Sequence, residues 1–591
     1  MPNGQLLRRF WSAISPRRQA QICLLIAFTL LASLAEVFSI GAALPFLGVL
    51  SSPENVFKHE FAQPLIQALS IAQPQDLLLP ISALFCGAAM VVAVVRTLAI
   101  YLRTRLTYAI GADLSNEIYR RTLHQPYAVH IARNSSELIE GVSGKVNTVI
   151  SGVLNPLLII VSNMVMLVVI LLAFLMFGHF TALVCFGGFG LIYLSIYKLS
   201  QARLQANSRH ITESSTQRIK CLQEGLGGIR DVLLDHSQAV YCAVYQRADS
   251  RFRRAQAENS VTSEIPRYAI EALGMCLLAL LALNLAQQPE GFQMALPLLG
   301  AIVIAAQRLL PLLQQIYQGF SSLSGSHQSL YDTLELLEQP LPEPAHQANG
   351  RPMRYEHVIE CRQLGFQYRP DGPWVLRDLN ISIPKGARIG FIGATGSGKS
   401  TLLDVLMGLL YASEGKLQVD GQTITPTNSL NWQTRIAHVP QFIYLSDASL
   451  AENIAFGVPR DLIDFDRVHE AAAKAQIAEA ITHLPQGYDT FVGERGVRLS
   501  GGQRQRIGIA RALYRRADVL VFDEATSALD NATESAVMRA IKELGRELTI
   551  LIVAHRLTSL SQCDTIIELC HGRVLRMGSY QTIVEAEQAT A

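Results

Sequence analysis

Six long apolar stretches occupy the first 320 or so residues of this 591-residue chain, at 21–50, 80–102, 150–177, 181–200, 266–286 and 294–318. Each has about the 20 residues that a helix needs to cross a bilayer. The bilayer core offers no water to backbone N–H and C=O groups, so such segments are confined to helices. Half of all residues are hydrophobic and only 17% are charged, which is too apolar for an ordinary soluble enzyme. The sequence therefore predicts an α-helical membrane domain with six transmembrane helices.

The basic residues predict how these spans are oriented. The links at 51–79, 177–180 and 287–293 contain a single basic residue, Lys58, whereas the links after the second and fourth spans are rich in arginine. Basic loops stay on the cytoplasmic side. We therefore predict a multi-pass membrane protein with both termini in the cytoplasm.

The two basic links are long, about 45 and 65 residues, but poor in proline and glycine, unlike flexible linkers. We predict that they continue the membrane helices into the cytoplasm and turn back near 125–133 and 227–239. The alternative of two soluble inserts is disfavoured because neither link has a core pattern of its own. Two amphipathic segments complete the domain. Residues 6–14 are predicted to lie at the cytoplasmic surface, and Phe57, Phe61, Leu65 and Leu69 form a stripe suited either to the outer membrane surface or to packing on neighbouring spans.

Composition excludes several other classes of protein. The net charge is +2, and the basic residues are clustered locally, which argues against a nucleic-acid partner. The nine cysteines are scattered and form no C-x-x-C pair, so neither a disulfide framework nor a zinc site is expected.

The second half reads as an α/β P-loop ATPase with a helical subdomain. A glycine-rich loop, Gly393-Ala394-Thr395-Gly396-Ser397-Gly398-Lys399-Ser400, follows a predicted strand at 388–392 and precedes a predicted helix at 401–410. Strand, loop and helix in this order cradle phosphates with backbone N–H groups. We predict that Lys399 contacts the β- and γ-phosphates of ATP and that Ser400 binds Mg²⁺.

Two further motifs follow the phosphate loop. The first is a second glycine loop, Leu499-Ser500-Gly501-Gly502-Gln503, and the second is the pair Asp523-Glu524 at the end of an apolar strand, 519–522. Phosphoryl transfer needs charge neutralisation and in-line positioning more than covalent chemistry. A carboxylate pair beside a phosphate loop can hold a cation that neutralises this charge and can position the attacking water. It is poorly explained as the cap of a turn.

With these motifs in this order, the chain resembles the ATP-binding cassette superfamily, and specifically its exporter-type half-transporters. The resemblance implies that two cassettes close head to tail, each ATP lying between one phosphate loop and the other cassette's glycine loop. With one cassette per chain, it implies a homodimer with a second copy of this chain. It further implies that the cytoplasmic turns contact the cassettes, with the domains at 1–337 (transmembrane), 338–355 (linker) and 356–591 (nucleotide-binding).

The resemblance also implies roles for individual residues. Glu524 would orient and deprotonate the attacking water, with Gln441, His555 and Lys399 completing the catalytic set. Asp523, Ser400 and Gln441 would hold Mg²⁺, and Tyr368 would stack on adenine. The predicted ATP contacts are Tyr368, Gly393, Thr395, Gly396, Ser397, Gly398, Lys399, Ser400, Thr401, Gln441, Ser500, Gly501, Gly502, Gln503 and Asp523.

Three arginines suggest the cargo, because charges in apolar spans are costly and usually face a wet cavity or a partner. They are Arg96, Arg267 and Arg308, although Arg267 is equally compatible with a position at the membrane interface. Their surroundings resemble the bacterial flippase for lipid-linked oligosaccharides, in which matching arginines hold a pyrophosphate head. The resemblance implies a lipid-linked oligosaccharide or related polysaccharide precursor as the substrate, in the bacterial inner membrane.

We consider three functions of different classes. An ATP-driven exporter or flippase is favoured, with a general lipid or drug exporter as the alternative cargo class. A non-transporting ATPase is disfavoured by the six apolar spans. An importer subunit is disfavoured because importers usually carry membrane and ATPase parts on separate chains.

Overall fold

The computed structural model describes residues 3–51, 73–176, 180–286, 291–341, 353–524, 531–543, 547–554 and 560–588, with the single residues 54, 57 and 66. It divides into two compact units. One comprises Met1–Gln125 and Arg133–Pro340, and the other comprises Pro126–Ala132 and Leu341–Ala591. The second unit therefore combines the cassette with a short segment from the first predicted turn.

Helices form the first unit, as the apolar stretches predict. In chain order, with the short helix of the second unit included, they are α1 (Asn3–Ala13), α2 (Pro16–Ser51), α3 (Leu78–Leu123), α4 (Tyr127–Ala132), α5 (Ser135–Ile139), α6 (Val146–Val149), α7 (Asn155–Met176), α8 (Phe180–Gly227), α9 (Ile229–Leu234), α10 (Gln238–Ala286), α11 (Gly291–Gly325) and α12 (His327–Leu337). Two π-helical segments, Glu140–Lys145 and Ile150–Leu154, separate α5, α6 and α7.

The prediction that the membrane helices continue into the basic links is confirmed, while the cytoplasmic location of these links stays a prediction. Helices α3, α8 and α10 run without interruption from apolar stretches into the basic links. Short helices, α4 and α9, occupy the two predicted turns. Within the described residues, three helices are long and apolar enough to cross a membrane, Pro16–Phe38, Pro74–Leu123 and Ser135–Leu172. The total of six spans stays a prediction.

The two predicted amphipathic segments have different surroundings in the structure. Helix α1 buries its apolar face in protein, since Leu6, Phe10 and Ile14 are almost fully enclosed in a cluster with Leu330 and Leu334 of α12. The apolar face of this helix is therefore covered by protein, while its place at the cytoplasmic surface stays a prediction. Its apolar positions recur every four residues, which suits a neighbouring helix as well as lipid. Of the outer stripe, Phe57 packs on a buried cluster that contains Val49 and Leu77, and the positions 61, 65 and 69 lie outside the described residues.

The cassette is built on ten strands, β1 (Val358–Phe366), β2 (Leu376–Pro384), β3 (Arg388–Ile392), β4 (Glu414–Val419), β5 (Gln422–Thr423), β6 (Ile436–Val439), β7 (Val519–Asp523), β8 (Thr549–Val553), β9 (Thr565–Cys570) and β10 (Arg573–Gly578). Strands β2, β1, β4 and β5 form a four-stranded sheet, and the second sheet has the order β10-β9-β3-β8-β7-β6. In that second sheet β9, β3, β8, β7 and β6 are parallel.

The cassette's helices are α13 (Lys399–Leu406), α14 (Ser429–Gln433), α15 (Leu450–Ile454), α16 (Phe465–Lys474), α17 (Ala478–Thr482), α18 (Gly501–Tyr514), α19 (Asn531–Glu543) and α20 (Tyr580–Gln588). The predicted strands at 388–392 and 519–522 are confirmed, while the helix after the phosphate loop ends at Leu406 rather than at residue 410. Gly408, with φ +67°, lies in the turn that follows this helix. The carboxyl ends of β3, β6 and β7 meet at one edge of the sheet, where open α/β sheets bind their ligands.

Candidate functional site

The phosphate loop joins β3 to α13 through glycines that no other residue could replace without strain. Gly393 has a φ of +144°, and a Cβ atom there would lie 2.2 Å from the carbonyl oxygen of Leu569 on β9. Gly398 has a φ of +99° and caps the start of α13. The loop backbone therefore passes against the next strand and turns into the helix at a position that only glycine can occupy.

Lys399 lies at the first position of α13 and folds back over the loop. Its Nζ donates to the carbonyl oxygens of Gly393, at 2.7 Å, and of Ala394, at 3.0 Å, and its side chain is largely buried. The ammonium thus sits inside the loop, beside the N-terminus of a helix whose N–H groups attract anions. Ser397 is buried beneath the loop, whereas Thr395, Gly396 and Ser400 are exposed. These features fit a triphosphate.

Tyr368 lies next to the phosphate loop, as an adenine-stacking residue must. Its hydroxyl is 3.2 Å from that of Thr401 on α13. Its ring meets Phe366 edge to face, with the centroids 5.0 Å apart, and the side chain is about half exposed. One face of a fixed aromatic ring is therefore available for a base.

Asp523 is the last residue of β7, and Glu524 follows it at the same edge of the sheet. Glu524 has a positive φ of 51°, an unusual conformation for a residue other than glycine and one that recurs at functional sites. Its backbone N–H donates to Val553 at 3.0 Å. Its carboxylate accepts a hydrogen bond of 2.6 Å from Nε2 of Gln441. Two residues 83 positions apart in sequence are therefore in direct contact.

The carboxylates at this edge are crowded, which favours a cation. Burial, together with the nearby charge of Asp523, raises the pKa of Asp404 on α13 to about 6. Asp404 lies four residues after Ser400, on the same face of that helix. Mg²⁺ prefers oxygen ligands, and Asp523, the Ser400 hydroxyl and the Gln441 amide oxygen form a donor set of that kind. The residues present therefore fit the ion.

The second glycine loop forms the start of α18. Ser500 caps this helix: its hydroxyl accepts from the N–H of Gln503 at 3.2 Å, and the Gln503 side chain accepts from the N–H of Ser500 at 2.9 Å. Ser500 is exposed, and Gly501 and Gly502 are half-buried. The helix N-terminus thus presents N–H groups and a hydroxyl at the surface, an arrangement that suits a phosphate.

One predicted catalytic residue cannot be placed. His555 lies outside the described residues, which stop at Ala554 on this part of the chain. The role of His555 therefore stays a prediction.

In the membrane unit, Arg96 has a partner that the sequence analysis missed. Its Nε lies 3.0 Å from a carboxylate oxygen of Glu36, a residue of α2 that is fully buried. Its terminal nitrogen contacts the sulfur of Met166 on α7 at 3.8 Å. Glu36 is the only charged residue between positions 21 and 50, and Arg96 is the only one between 80 and 102, which is the signal that could have indicated this pair.

The other two predicted cargo residues differ from Arg96. Arg267 forms an ion pair of 2.7 Å with Glu271, one turn along α10, and both side chains are more than 40% exposed. Arg308 lies on α11, with its side chain outside the described residues. Their helices nevertheless meet, because Met166, Ile270 and Leu309 belong to one buried cluster.

Two family models match the chain. The ABC transporter transmembrane region matches residues 21–288, and the ABC transporter domain matches residues 376–527. Together they cover more than two thirds of the chain. The first match covers the membrane unit from α2 to α10 and ends before α11. The second spans the phosphate loop, the second glycine loop and the carboxylate pair.

Several curated bacterial proteins are similar along most of their length. The chain is 28% identical to an ATP-dependent lipid A-core flippase of Alkalilimnicola ehrlichii over 88% of either protein. It is 26% identical to proteins of the same description from Ralstonia nicotianae, over 93% of each, and from Burkholderia pseudomallei, over 98% of this chain and 94% of that one.

Among solved structures, a bacterial Atm1-family ABC exporter with ATP bound has the same fold. It superposes with a TM-score of 0.77 at 22% identity and covers 97% of this chain and 96% of its own. The chain therefore shares the fold of that exporter. The chain belongs to the ABC transporter family, with the membrane-spanning region and the ATP-hydrolysing cassette that drives transport on one polypeptide.

Proposed function

We propose that this protein is a flippase that uses ATP to move an anionic lipid-linked glycan across the bacterial inner membrane, with a lipid-linked oligosaccharide or related polysaccharide precursor as its cargo. The observation that carries the cargo proposal is Arg96, the only charged residue in its apolar stretch. A guanidinium there suits a phosphate group, which it can bind through paired N–H donors. It disfavours cationic drugs.

In the ATP site, Lys399 and the N–H groups of the phosphate loop would hold the triphosphate while Tyr368 stacks on the adenine. Asp523, Ser400 and Gln441 would hold Mg²⁺, which neutralises charge on the phosphates when bound. Glu524 would accept the proton of the attacking water. The hydrogen bond from Gln441 orients its carboxylate, so that a change at Gln441 would alter the position of the general base.

We propose that two copies of the chain act together, with both termini in the cytoplasm. The cassette carries one phosphate loop and one exposed glycine loop at the start of α18, and each would serve a different ATP in a head-to-tail pair. The short helix α9 supports this arrangement, since Leu233 and Leu234 are exposed by 54% and 67%. These apolar side chains suit a contact with a cassette.

A polar cavity supports the glycan part of the proposal. It has a volume of about 500 Å³ and lies among the helical segments α8, α10, α11 and the two π-helical segments before α7. Its lining contains the charged side chains of Glu140 and Lys145, but hydroxyl and amide groups dominate it, namely Thr148, Ser151, Thr212, Ser215, Gln256, Asn259, Ser260, Ser263, Gln318, Ser321, Ser322, Ser326 and Ser329. Neutral hydrogen-bonding groups of this kind suit a polyhydroxylated ligand better than an apolar drug.

The test is ATP-driven flipping by the purified protein in liposomes. Three cargoes are compared: a polyprenyl-pyrophosphate oligosaccharide, a lipid A-core glycolipid and a hydrophobic cationic drug. We expect the oligosaccharide lipid to be flipped fastest. Flipping of the lipid A-core alone would replace the proposed cargo with that of the named relatives, and flipping of the drug alone would point to a general drug exporter.

A variant that cannot use ATP serves as the control. Lys399→Ala should abolish both ATP hydrolysis and flipping, because the ammonium inside the phosphate loop is lost. Flipping at the parent rate in this variant would rule out an ATP-driven transporter.

A further inference from the structure

Glu36 is a carboxylate in an apolar region, where burying a charge costs free energy. It lies inside the first apolar stretch, is the only charged residue there, and is fully buried. Withdrawing a carboxylate from water is costly unless a cation compensates for it. Arg96 on the neighbouring helix α3 supplies that cation at 3.0 Å.

The pair is asymmetric, since Arg96 is 39% exposed at its side chain while Glu36 is enclosed. A guanidinium has five N–H donors in a planar fork. Glu36 lies against Nε, and the contact at a terminal nitrogen is with the thioether sulfur of Met166 at 3.8 Å, which is a weak acceptor. The outer side of the guanidinium can therefore accommodate a stronger acceptor.

The need to hold α2 against α3 does not explain this buried ion pair well. The same two helices are already joined by an ion pair between Arg18 and Asp113, at 2.8 Å, in which Asp113 is 51% exposed. A solvent-accessible pair of this kind needs little desolvation, whereas a buried pair is often no more stable than apolar residues of the same volume. The buried position of Glu36 therefore calls for a function.

We propose that Glu36 is the internal counter-ion of a headgroup site at Arg96, and that it competes with the phosphate of the lipid cargo for the guanidinium. Without cargo, Glu36 keeps Arg96 oriented inside the membrane. With cargo, the carboxylate weakens the hold of Arg96 on the phosphate and so promotes its release after translocation. This inference rests on the proposed function only in that the cargo carries a phosphate.

The test measures binding of farnesyl pyrophosphate to the full-length protein in nanodiscs by equilibrium dialysis. Farnesol tests the tail without the charge, and inorganic pyrophosphate tests the charge without the tail. Glu36→Gln should bind farnesyl pyrophosphate roughly 5- to 150-fold more tightly than the parent, the usual range for coupling between two ligands. Its affinity for farnesol should be unchanged.

Two further variants separate a counter-ion from a structural contact. Asp113→Asn breaks the other ion pair between the same helices and should bind farnesyl pyrophosphate as the parent does. Glu36→Gln combined with Arg96→Gln leaves no charge at the site and should lose the preference for farnesyl pyrophosphate over farnesol. If the parent binds inorganic pyrophosphate tightly but not farnesyl pyrophosphate, the site takes soluble phosphates. That result would overturn the proposal of a lipid headgroup site.

Parent-like or weaker binding of farnesyl pyrophosphate by Glu36→Gln would overturn the inference, as would an equal gain for farnesol. If Glu36→Gln fails to fold, Glu36→Asp keeps the charge but lengthens the ion pair, and should show a smaller gain in affinity. A parent that binds farnesyl pyrophosphate but flips no glycolipid in liposomes would refute the proposed function while leaving this inference intact.

Discussion

The cassette and the membrane unit hold their positive groups in two different ways. In the cassette, the phosphate loop and the start of α18 present backbone N–H groups at helix N-termini, and one ammonium, Lys399, is enclosed by loop carbonyls. In the membrane unit, the cation is a side chain, Arg96, and it needs a buried carboxylate, Glu36, beside it. Backbone dipoles carry no net charge and can be placed in a protein at little cost, whereas a full charge in an apolar region must be compensated.

This difference has consequences for release. Under the proposed function, the fixed backbone cradle would release its ligand only after hydrolysis and separation of the two cassettes. At the proposed headgroup site, Glu36 would compete with the cargo phosphate for Arg96. Each of the following predictions tests one side of this comparison.

The largest expected effect is on the chemistry of the cassette. Glu524→Gln keeps the size of the side chain and its contact with Gln441 but cannot accept a proton from water. ATP should still bind, while turnover should fall by roughly 10²- to 10⁴-fold, the usual cost of losing a general base. Single-turnover measurements with radiolabelled ATP separate binding from hydrolysis. Turnover close to that of the parent would assign the base elsewhere.

The backbone cradle itself is tested by Gly393→Ala. The added Cβ would lie 2.2 Å from the Leu569 carbonyl at a φ of +144°, so the loop must deform, at a cost of about 1–3 kcal/mol for backbone strain alone. ATP affinity should fall, and amide hydrogen exchange should accelerate in peptides that cover β3 and β9.

The matched control is Gly396→Ala in the same loop. Its φ is +81°, but no atom lies within 4 Å of the added Cβ. This variant introduces backbone strain without a steric clash, so it should lose less ATP affinity than Gly393→Ala does. Equal losses for the two variants would mean that contact with β9 does not shape the cradle.

His438, a buried titratable residue, predicts that the cassette becomes less stable at acid pH. Burial lowers the pKa of His438 on β6 to about 4, below its ordinary value of 6.5. Between these values the unfolded chain binds a proton that the folded cassette does not, so stability falls as the pH drops from 6.5 to 4, by about 3 kcal/mol in total. Asp404, with its raised pKa, acts in the opposite direction below pH 6.

The contribution of His438 is measured as a difference from His438→Gln, which removes the titration and leaves Asp404 in place. Hydrogen exchange of the central strands is followed from pH 7 to pH 4 in both proteins. The parent should lose more stability than the variant over this range. Identical pH profiles would contradict the assignment to His438.

The smallest expected effect compares two helix caps. Ser500 caps α18 and Ser449 caps α15, each with a reciprocal bond to a side chain three residues on. Replacement of either by alanine should cost its helix about 1 kcal/mol. Only Ser500→Ala should also slow ATP hydrolysis, because its hydroxyl lies on the proposed ATP contact. Equal effects of both variants on hydrolysis would reduce Ser500 to a structural role.

Much of the cassette could be predicted from local sequence because its chemistry is encoded locally. Glycines with positive φ, a strand ending in two carboxylates and a serine three residues before a glutamine each specify their own geometry. The contact between Gln441 and Glu524 and the crowding of Asp404 against Asp523 could not be predicted, because they depend on which strand ends meet in the sheet.

In the membrane unit, the sequence by itself determined where helices form, since apolar stretches in a bilayer have no other way to bond their backbones. It also placed three arginines in or beside those helices. Only the tertiary structure decided what neutralises them: Glu36 and Arg96 are 60 residues apart and meet only when α2 packs against α3. The same is true of α1, whose apolar face suits lipid or protein equally until α12 covers it. A periodic pattern defines a face, but the partner of that face is chosen by the packing of distant segments.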